Sequence, residues 1–218
     1  MSDKPIELLQ RLKSLSGPFP TWDMGQLPER PGKLFLDWLR VAVENEVKEP
    51  HAMTISTVDH DGHPDARVLI LKNVIDETFY FASSSESRKG QQLKENPHVA
   101  LTFYWPSLGR QIRIRGIAED CGDEAGANDF RKRSAGARAV AMTGHQSEVL
   151  DSEEVLDRSI EAQKVKISRD PGVVTPHWRL YAVNAQEVEF WQGDSERKHV
   201  RVRYSMQDGQ WNTLRLWP

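Results

Sequence analysis

Residues 197–203 read Arg-Lys-His-Val-Arg-Val-Arg, directly after Val-Glu-Phe-Trp-Gln-Gly at 188–193. Side chains on a β-strand alternate faces with period 2. A strand here puts Arg197, His199, Arg201 and Arg203 on one face, with Val200, Val202 and Tyr204 on the other. Basic groups crowded on one face repel unless water or an anion lies against them. The pattern fits a solvated sheet face or an anion site beside the aromatic Trp191, and spacing alone leaves both open.

A second basic cluster has the opposite geometry. Ser87-Arg88-Lys89-Gly90 opens a short helix, with Ser87 or Ser85 as cap and Asn96-Pro97 as stop. Free backbone N–H groups and the positive helix end favour a phosphate there. Arg88 adds a planar fork and Lys89 a point charge. An exposed charged cap has the same sequence. Arg67 and Lys72 bracket the apolar run Val68–Leu71, either as a strand's exits into solvent or as two cations in one groove. Gln111, Arg113 and Arg115 share a strand face, and a glutamine there offers a heterocycle both donor and acceptor. His145-Gln146-Ser147 is a small polar island.

Other chemistries lack their patterns. Asp59, His60, Asp61 and His63 lie in a turn without calcium-loop spacing, and no His-x-x-x-His helix occurs, so no metal is expected. No Gly-x-Ser-x-Gly, P-loop or Gly-x-Gly-x-x-Gly is present. The net charge of −3 gives no general pull toward nucleic acid or an anionic membrane, so any anion site is a local concentration of charge. The single cysteine, Cys121, excludes an intramolecular disulfide and fits a reducing cytosol. The first residues carry no long apolar run, which predicts neither signal peptide nor membrane span.

The elements that must position these groups follow from periodicity. Among the 218 residues, 38% hydrophobic and 28% charged, 5–16 predict a short amphipathic helix. Residues 17–32, with four prolines and three glycines, predict an ordered arm. A helix is expected over 33–48, stopping before Pro50. Strands are expected at 52–59, 66–74, 79–84, 98–105 and 110–120, with helix-compatible stretches at 123–134 and 152–169. A second meander closes the chain, turning at Asp208-Gly209. About eight strands with three to five outer helices make an α+β protein with an antiparallel, barrel-like sheet. Residues 1–32 form the helix and arm, and 33–218 a single domain.

RVLILK (67–72), ESRKGQQLKENP (86–97), FYWPSLGRQIRIRG (103–116), HQS (145–147), VEFWQG (188–193), RKHVR (197–201) and RLWP (215–218) together resemble the pyridoxamine 5′-phosphate oxidase family. These are flavin mononucleotide (FMN) enzymes with a split-barrel fold. The resemblance implies a cytoplasmic homodimer with its site between subunits. It implies flavin contacts at Arg67, Val68, Leu69, Lys72, Ala82, Ser83, Arg88, Lys89, Gln111, Gln146, Ser147, Trp191 and Arg201. It places Lys72, Arg133, Arg197 and His199 at the substrate, with Arg197 and His199 as catalytic candidates. The implied reaction converts pyridoxamine or pyridoxine 5′-phosphate to pyridoxal 5′-phosphate, with O2 reduced to H2O2. A sister flavin oxidase of the phenazine-biosynthesis type and a non-catalytic FMN-binding protein are the alternatives. The family surrounds the substrate phosphate with Tyr, Arg and Ser, whereas this chain has Asp129, Arg133 and Ala137. The family's Arg-Pro is Arg133-Ser134, and its Trp-Gly-Gly is Trp178-Arg179-Leu180.

Overall fold

Eight strands and six α-helices are found in the computed structural model, which describes residues 4–15 and 17–218. The strands are β1 (Ala52–Val58), β2 (Pro64–Ile75), β3 (Thr78–Ser84), β4 (His98–Trp105), β5 (Arg110–Asp120), β6 (Trp178–Gln192), β7 (Val200–Gln207) and β8 (Gln210–Leu216). The helices are α1 (Pro5–Gln10), α2 (Pro31–Glu44), α3 (Arg88–Glu95), α4 (Asp123–Arg131), α5 (Ala135–Ala141) and α6 (Glu153–Arg169). All pairings are antiparallel in the order β3-β2-β1-β4-β5-β6-β7-β8, and β3 also pairs with β6. That extra pairing closes six strands into a barrel.

β6 makes the closure possible by its length. Its first half pairs with β3 from Trp178 to Asn184, and its second half pairs with β7 from Glu187 to Gln192. β5 runs along nearly all of it, with a register shift between Arg115 and Gly116. Such a bulge bends the strand and lets one ribbon serve both barrel and extension.

The barrel is filled by aromatic rings. Phe35 of α2 lies 5.0 Å, centroid to centroid, from both Phe79 and Phe103, and Trp38 lies 5.2 Å from Phe190. α2 thus plugs the barrel with its apolar face, and Trp22 of the arm stacks edge-on against Trp38 at 4.8 Å. Phe19 of the same arm lies over Gly109, whose φ of +59° closes the β4–β5 turn. A Cβ on Gly109 would come within 2.8 Å of that ring.

Three expectations need correction. The helix expected over 5–16 is confined to Pro5–Gln10 and buries none of its residues, and the expected Ser16 end lies outside the described residues. Its apolar residues Ile6, Leu8 and Leu9, with Leu12 just beyond, stand exposed in this protomer. Residues 135–141, given no element from the sequence, form α5, so there are six helices rather than three to five. Ser134 caps α5, its hydroxyl accepting from the Ala137 N–H, and the short, Ala- and Gly-rich run carries too weak an apolar stripe to be read as a helix. The strand expected to carry Arg197 and His199 starts only at Val200.

Candidate active site

The helix-start cluster folds into a cationic corner. Ser87 caps α3, accepting from the Gly90 N–H at 3.3 Å and donating to the Ser84 carbonyl at 2.7 Å. Gly90 permits this packing, since a Cβ there would lie 2.4 Å from the Ser85 carbonyl oxygen. Lys89 is 6% exposed. Its Nζ donates to the hydroxyls of Ser83 and Ser87, each at 3.1 Å. Burial, reinforced by the neighbouring Arg67, pushes the Lys89 ammonium down to about 8.

Arg67 reaches the same corner from β2. It donates to Thr57 Oγ1 at 2.6 Å and pairs with Asp65 at 2.5 Å. Arg88 lies 3.7 Å from that same carboxylate. Behind them, Thr57 donates to Gln92 Oε1 at 2.5 Å, while the buried Gln92 Nε2 has no partner among the described residues. One carboxylate thus faces three cations, a helix N-terminus and an unused amide donor. That is the donor set a phosphate dianion needs. Thr57 and Gln92 were missed in the sequence because a threonine in an alternating strand and a glutamine in a polar helix carry no signal.

A cavity of about 760 Å³ opens beside this corner. It is large enough for a cofactor-sized molecule. Val68, Leu69 and Lys72 of β2 line it, with Ala82 and Ser83 of β3. Gln146 and Arg133 complete the sequence-predicted members of its wall, and the segment 140–156 supplies an apolar side through Val140, Val149 and Leu156. Ser147 follows Gln146 with φ +80°, an uncommon backbone for a serine. Gln146, Lys72 and the corner are therefore brought together from four separate segments.

At the cavity's Arg133 end, four side chains interlock. Asp129 of α4 accepts from Trp178 Nε1 at 2.8 Å and lies 3.3 Å from Lys72 Nζ. The Arg133 guanidinium stacks 4.1 Å above the Trp178 ring and donates to the Ala137 carbonyl at 3.4 Å. Its buried Nε has no partner among the described residues. Burial lowers the Arg133 pKa, and Asp129 opposes that shift. Asp129 therefore lies against Lys72 and Trp178, two residues of the cavity wall, without lining the cavity itself.

The remaining predicted residues gather elsewhere. Gln111 of β5 is directly opposite Trp191 of β6, which is opposite Arg201 of β7. The His199 ring packs 4.8 Å from Trp191, and its Nδ1 accepts from the Asp194 N–H at 3.1 Å. That bond places the proton of a neutral imidazole on Nε2. Arg197 and His199 sit in a turn, not on the strand. Asp194 organises that turn, its carboxylate accepting from the N–H groups of Glu196 at 2.8 Å and Lys198 at 3.2 Å. Local side-chain capping overrides the alternating pattern, and Arg197 takes φ +66°. The strand-face repulsion is also relieved internally. Glu189 of β6 binds Arg201 at 2.9 Å and Arg113 at 2.5 Å, and Glu187 lies 3.8 Å from Arg203. None of Gln111, Trp191, Arg197, His199 or Arg201 lines the 760 Å³ cavity. Within one protomer the predicted residues therefore fall into two separate groups.

The exposed turn at Asp59, Asp61 and His63 brings three ligand atoms within 4.8 Å of one another. Asp59 Oδ1 accepts from the N–H groups of Asp61 and His63, at 3.1 and 2.8 Å. The cluster is accounted for by the turn itself. Among the described residues, no helix is long and apolar enough to cross a membrane.

Residues 39–166 match the family described as pyridoxamine 5′-phosphate oxidase, and 178–218 match the pyridoxine 5′-phosphate oxidase C-terminal dimerisation region. The chain belongs to the pyridoxamine 5′-phosphate oxidase family. It is 40% identical over 195 residues to a pyridoxine/pyridoxamine 5′-phosphate oxidase of Pseudomonas putida (strain W619), covering 88% of this chain and 91% of that one. It is 41% identical over 199 residues to the Bacteroides fragilis (strain YCH46) protein of the same name, covering 89% and 83%. Among solved structures, PhzG from Burkholderia lata 383, in complex with tetrahydrophenazine-1-carboxylic acid, superposes with TM-score 0.85 at 29% identity. That match covers 93% of this chain and all of the other. The family is one of FMN-dependent oxidoreductases built on the split barrel, and this chain is one of them. The dimerisation region supports a homodimer. The cationic corner and its cavity fit FMN on the chain's own geometry.

Proposed function

We propose that this protein is an FMN-dependent oxidase that converts pyridoxine or pyridoxamine 5′-phosphate to pyridoxal 5′-phosphate. The observation that carries the reading is Lys89, buried beside Arg67 at the start of α3 with only hydroxyls as partners. A buried ammonium bonded only to hydroxyls, with the one nearby carboxylate of Asp65 shared with Arg67 and Arg88, calls for an anionic ligand. The phosphate of FMN would lie on Lys89, Arg67, Arg88 and Ser83. Val68, Leu69, Lys72, Ala82, Gln146 and Ser147 would line the rest of its path.

The two groups explain each other in a dimer. The row Gln111, Trp191 and Arg201 of one protomer would complete the cavity of the other. Val68, Tyr104, Leu214 and Trp217 leave apolar area on the surface of a lone protomer, with Trp217 90% exposed. Their burial would drive the association.

FMN held there would supply the redox chemistry, a hydride equivalent leaving the substrate's 4′ carbon and two electrons reaching O2 as H2O2, with water taken up and ammonia released when the substrate is the amine. The chain's task is positioning and charge. Lys72 and Arg133 would hold the substrate's anionic tail. Arg197, on its turn, would clamp the substrate ring against the flavin at a reacting distance of about 3–3.5 Å. His199, with Nε2–H free, would donate to a ring oxygen or help a proton leave. Positive charge from Arg201 would favour the more electron-rich reduced cofactor.

The test is oxygen uptake and peroxide release by the purified, yellow protein with pyridoxine 5′-phosphate, pyridoxamine 5′-phosphate and a dihydrophenazine. Turnover of either B6 phosphate supports the reading. Turnover of the dihydrophenazine alone supports a sister oxidase, which the Asp129 carboxylate paired with Lys72 and the likeness to PhzG favour as the second reading. Bound FMN with no peroxide from any of the three leaves a binding protein.

A further inference from the structure

Lys72 lines the cavity and has its counter-charge in Asp129, which lies behind the wall formed by Lys72, Arg133 and Trp178. Asp129 Oδ1 lies 3.3 Å from Lys72 Nζ, and Asp129 Oδ2 is fixed by the Trp178 indole N–H at 2.8 Å. Trp178 in turn carries Arg133 on its ring face at 4.1 Å. The carboxylate cannot swing away without leaving the indole N–H unpaired. The Asp129 side chain is only 11% exposed, so water screens it weakly. Two cations and one fixed anion therefore define this end of the site, and they leave a single positive charge for a ligand.

We propose that Asp129 is a specificity-determining residue: held between Lys72 and Trp178, it makes this end of the cavity select a substrate tail with one negative charge, such as a carboxylate, over a phosphate dianion. The inference rests on the oxidase reading for the identity of the cavity, but the charge count does not depend on the B6 ring. A dianion meets Lys72 already paired and a weakly screened carboxylate close behind it. A monoanion can bind Arg133, whose Nε is buried and unpartnered, and leave the Lys72–Asp129 pair intact. The proposed selection acts through the difference between two tails.

The test uses the FMN-loaded protein near pH 8, where phosphate monoesters are dianions, their second pKa being about 6. Flavin absorbance reports the dissociation constants of two ligand pairs. One pair is pyridoxal 5′-phosphate and a pyridoxal analogue with a carboxylate in place of the phosphate. The other is phenyl phosphate and benzoate, which lack the B6 ring. In the native protein the carboxylate member should bind at least as tightly as the phosphate member. Asp129→Asn keeps an acceptor for the Trp178 N–H but removes the charge, and should shift the ratio toward phosphate by about tenfold or more. Asp129→Glu should keep the native preference.

An unchanged ratio in Asp129→Asn overturns the proposal while leaving the oxidase reading standing. If the pyridoxal pair fails to bind but the phenyl pair shows the Asp129-dependent ratio, the B6 reading falls and charge selection stands. If no ligand perturbs the flavin, both fall. Should Asp129→Asn lose its flavin or fail to fold, the native ratio decides alone: phosphate members about tenfold tighter than their carboxylate partners overturn the proposal.

Discussion

Lys89 Nζ lies 3.1 Å from Ser83 Oγ, across the gap between the start of α3 and the end of β3, and no carboxylate shares that contact. Two neutral hydroxyls are a poor substitute for water around an ammonium, and burial has lowered the Lys89 pKa to about 8. The sign of the consequence follows. Between about 8 and the ordinary lysine value of 10.5, the unfolded chain holds a proton that the folded, flavin-free chain has released. Stability of the flavin-free protein should therefore rise as pH climbs through that window, by at most about 3 kcal/mol. Below the window both states are protonated and the full penalty of the buried charge remains. FMN phosphate would restore the ammonium and remove the rise. Melting temperatures from pH 7.5 to 10, with and without FMN, measure this, and Lys89→Met should flatten the flavin-free curve.

The same corner sets cofactor choice. Arg88 and Lys89 suit a terminal phosphate at the helix start, so the purified protein should carry FMN rather than FAD. Changing both to Ala should weaken FMN by several kcal/mol, at about 1.5–3 for each charge-assisted bond. Equilibrium dialysis reads the loss. A protein with no affinity for added FMN, or a double variant as tight as the parent, would contradict the assignment.

If Gln111, Trp191 and Arg201 of one protomer complete the cavity of the other, as proposed, assembly and flavin binding are one event. Light scattering should show a dimer, and dilution to the monomer should release the flavin. A substitution in the apolar patch, such as Leu214→Glu, should weaken both together. A monomer that keeps FMN tightly would show that the two groups do not complete each other.

Arg197 and Arg201 were legible as one basic face and are in fact in two different settings. Arg201 donates to Glu189 and to the Trp217 carbonyl, each at 3.0 Å, whereas Arg197 stands on the Asp194 turn. Arg201→Ala should lower flavin content, and some stability, because Glu189 keeps only Arg113 as a partner. Arg197→Ala should lower turnover far more than flavin content. Equal flavin loss in both variants would show that the two arginines have been wrongly divided.

What the sequence made legible is what simple periodicity and chemistry control. The alternation in 52–59 and 98–105 became β1 and β4, and Ser87 became the cap of α3 because few other residues satisfy those N–H groups. The closure of β3 on β6 was not legible, since pairing partners far apart in sequence leave no local mark. Glu187 and Glu189 were invisible as counter-charges for the same reason: they reach Arg203 and Arg201 diagonally across the β6–β7 pair, where their register partners are Ser205 and Arg203. The turn at 194–199 was misread because a single Asp side chain decided it. The site's residues were named by resemblance, but their division into two groups appeared only once the chain was folded.

The substrate's tail offers the last test. In the family, Tyr, Arg and Ser surround the substrate phosphate, and here only Arg133 remains of the three. Each missing neutral hydrogen bond is worth about 0.5–1.5 kcal/mol, so losing two should weaken a B6 phosphate roughly five- to a hundred-fold. Asp129 adds repulsion, because its carboxylate sits directly behind Lys72 of the cavity wall and offsets that charge. The native protein should turn over pyridoxine 5′-phosphate with a raised KM. Asp129→Tyr with Ala137→Ser should lower that KM, releasing Lys72 and supplying two hydroxyl donors. kcat should change less, since neither position reaches the Trp191 and His199 group. The Trp178 indole N–H would lose its carboxylate, so some loss of stability is expected alongside the gain. Steady-state oxygen uptake on both proteins decides the matter. If the native protein turns over neither B6 phosphate at millimolar concentration and the double variant gains no activity, the B6 assignment fails and a different substrate takes its place.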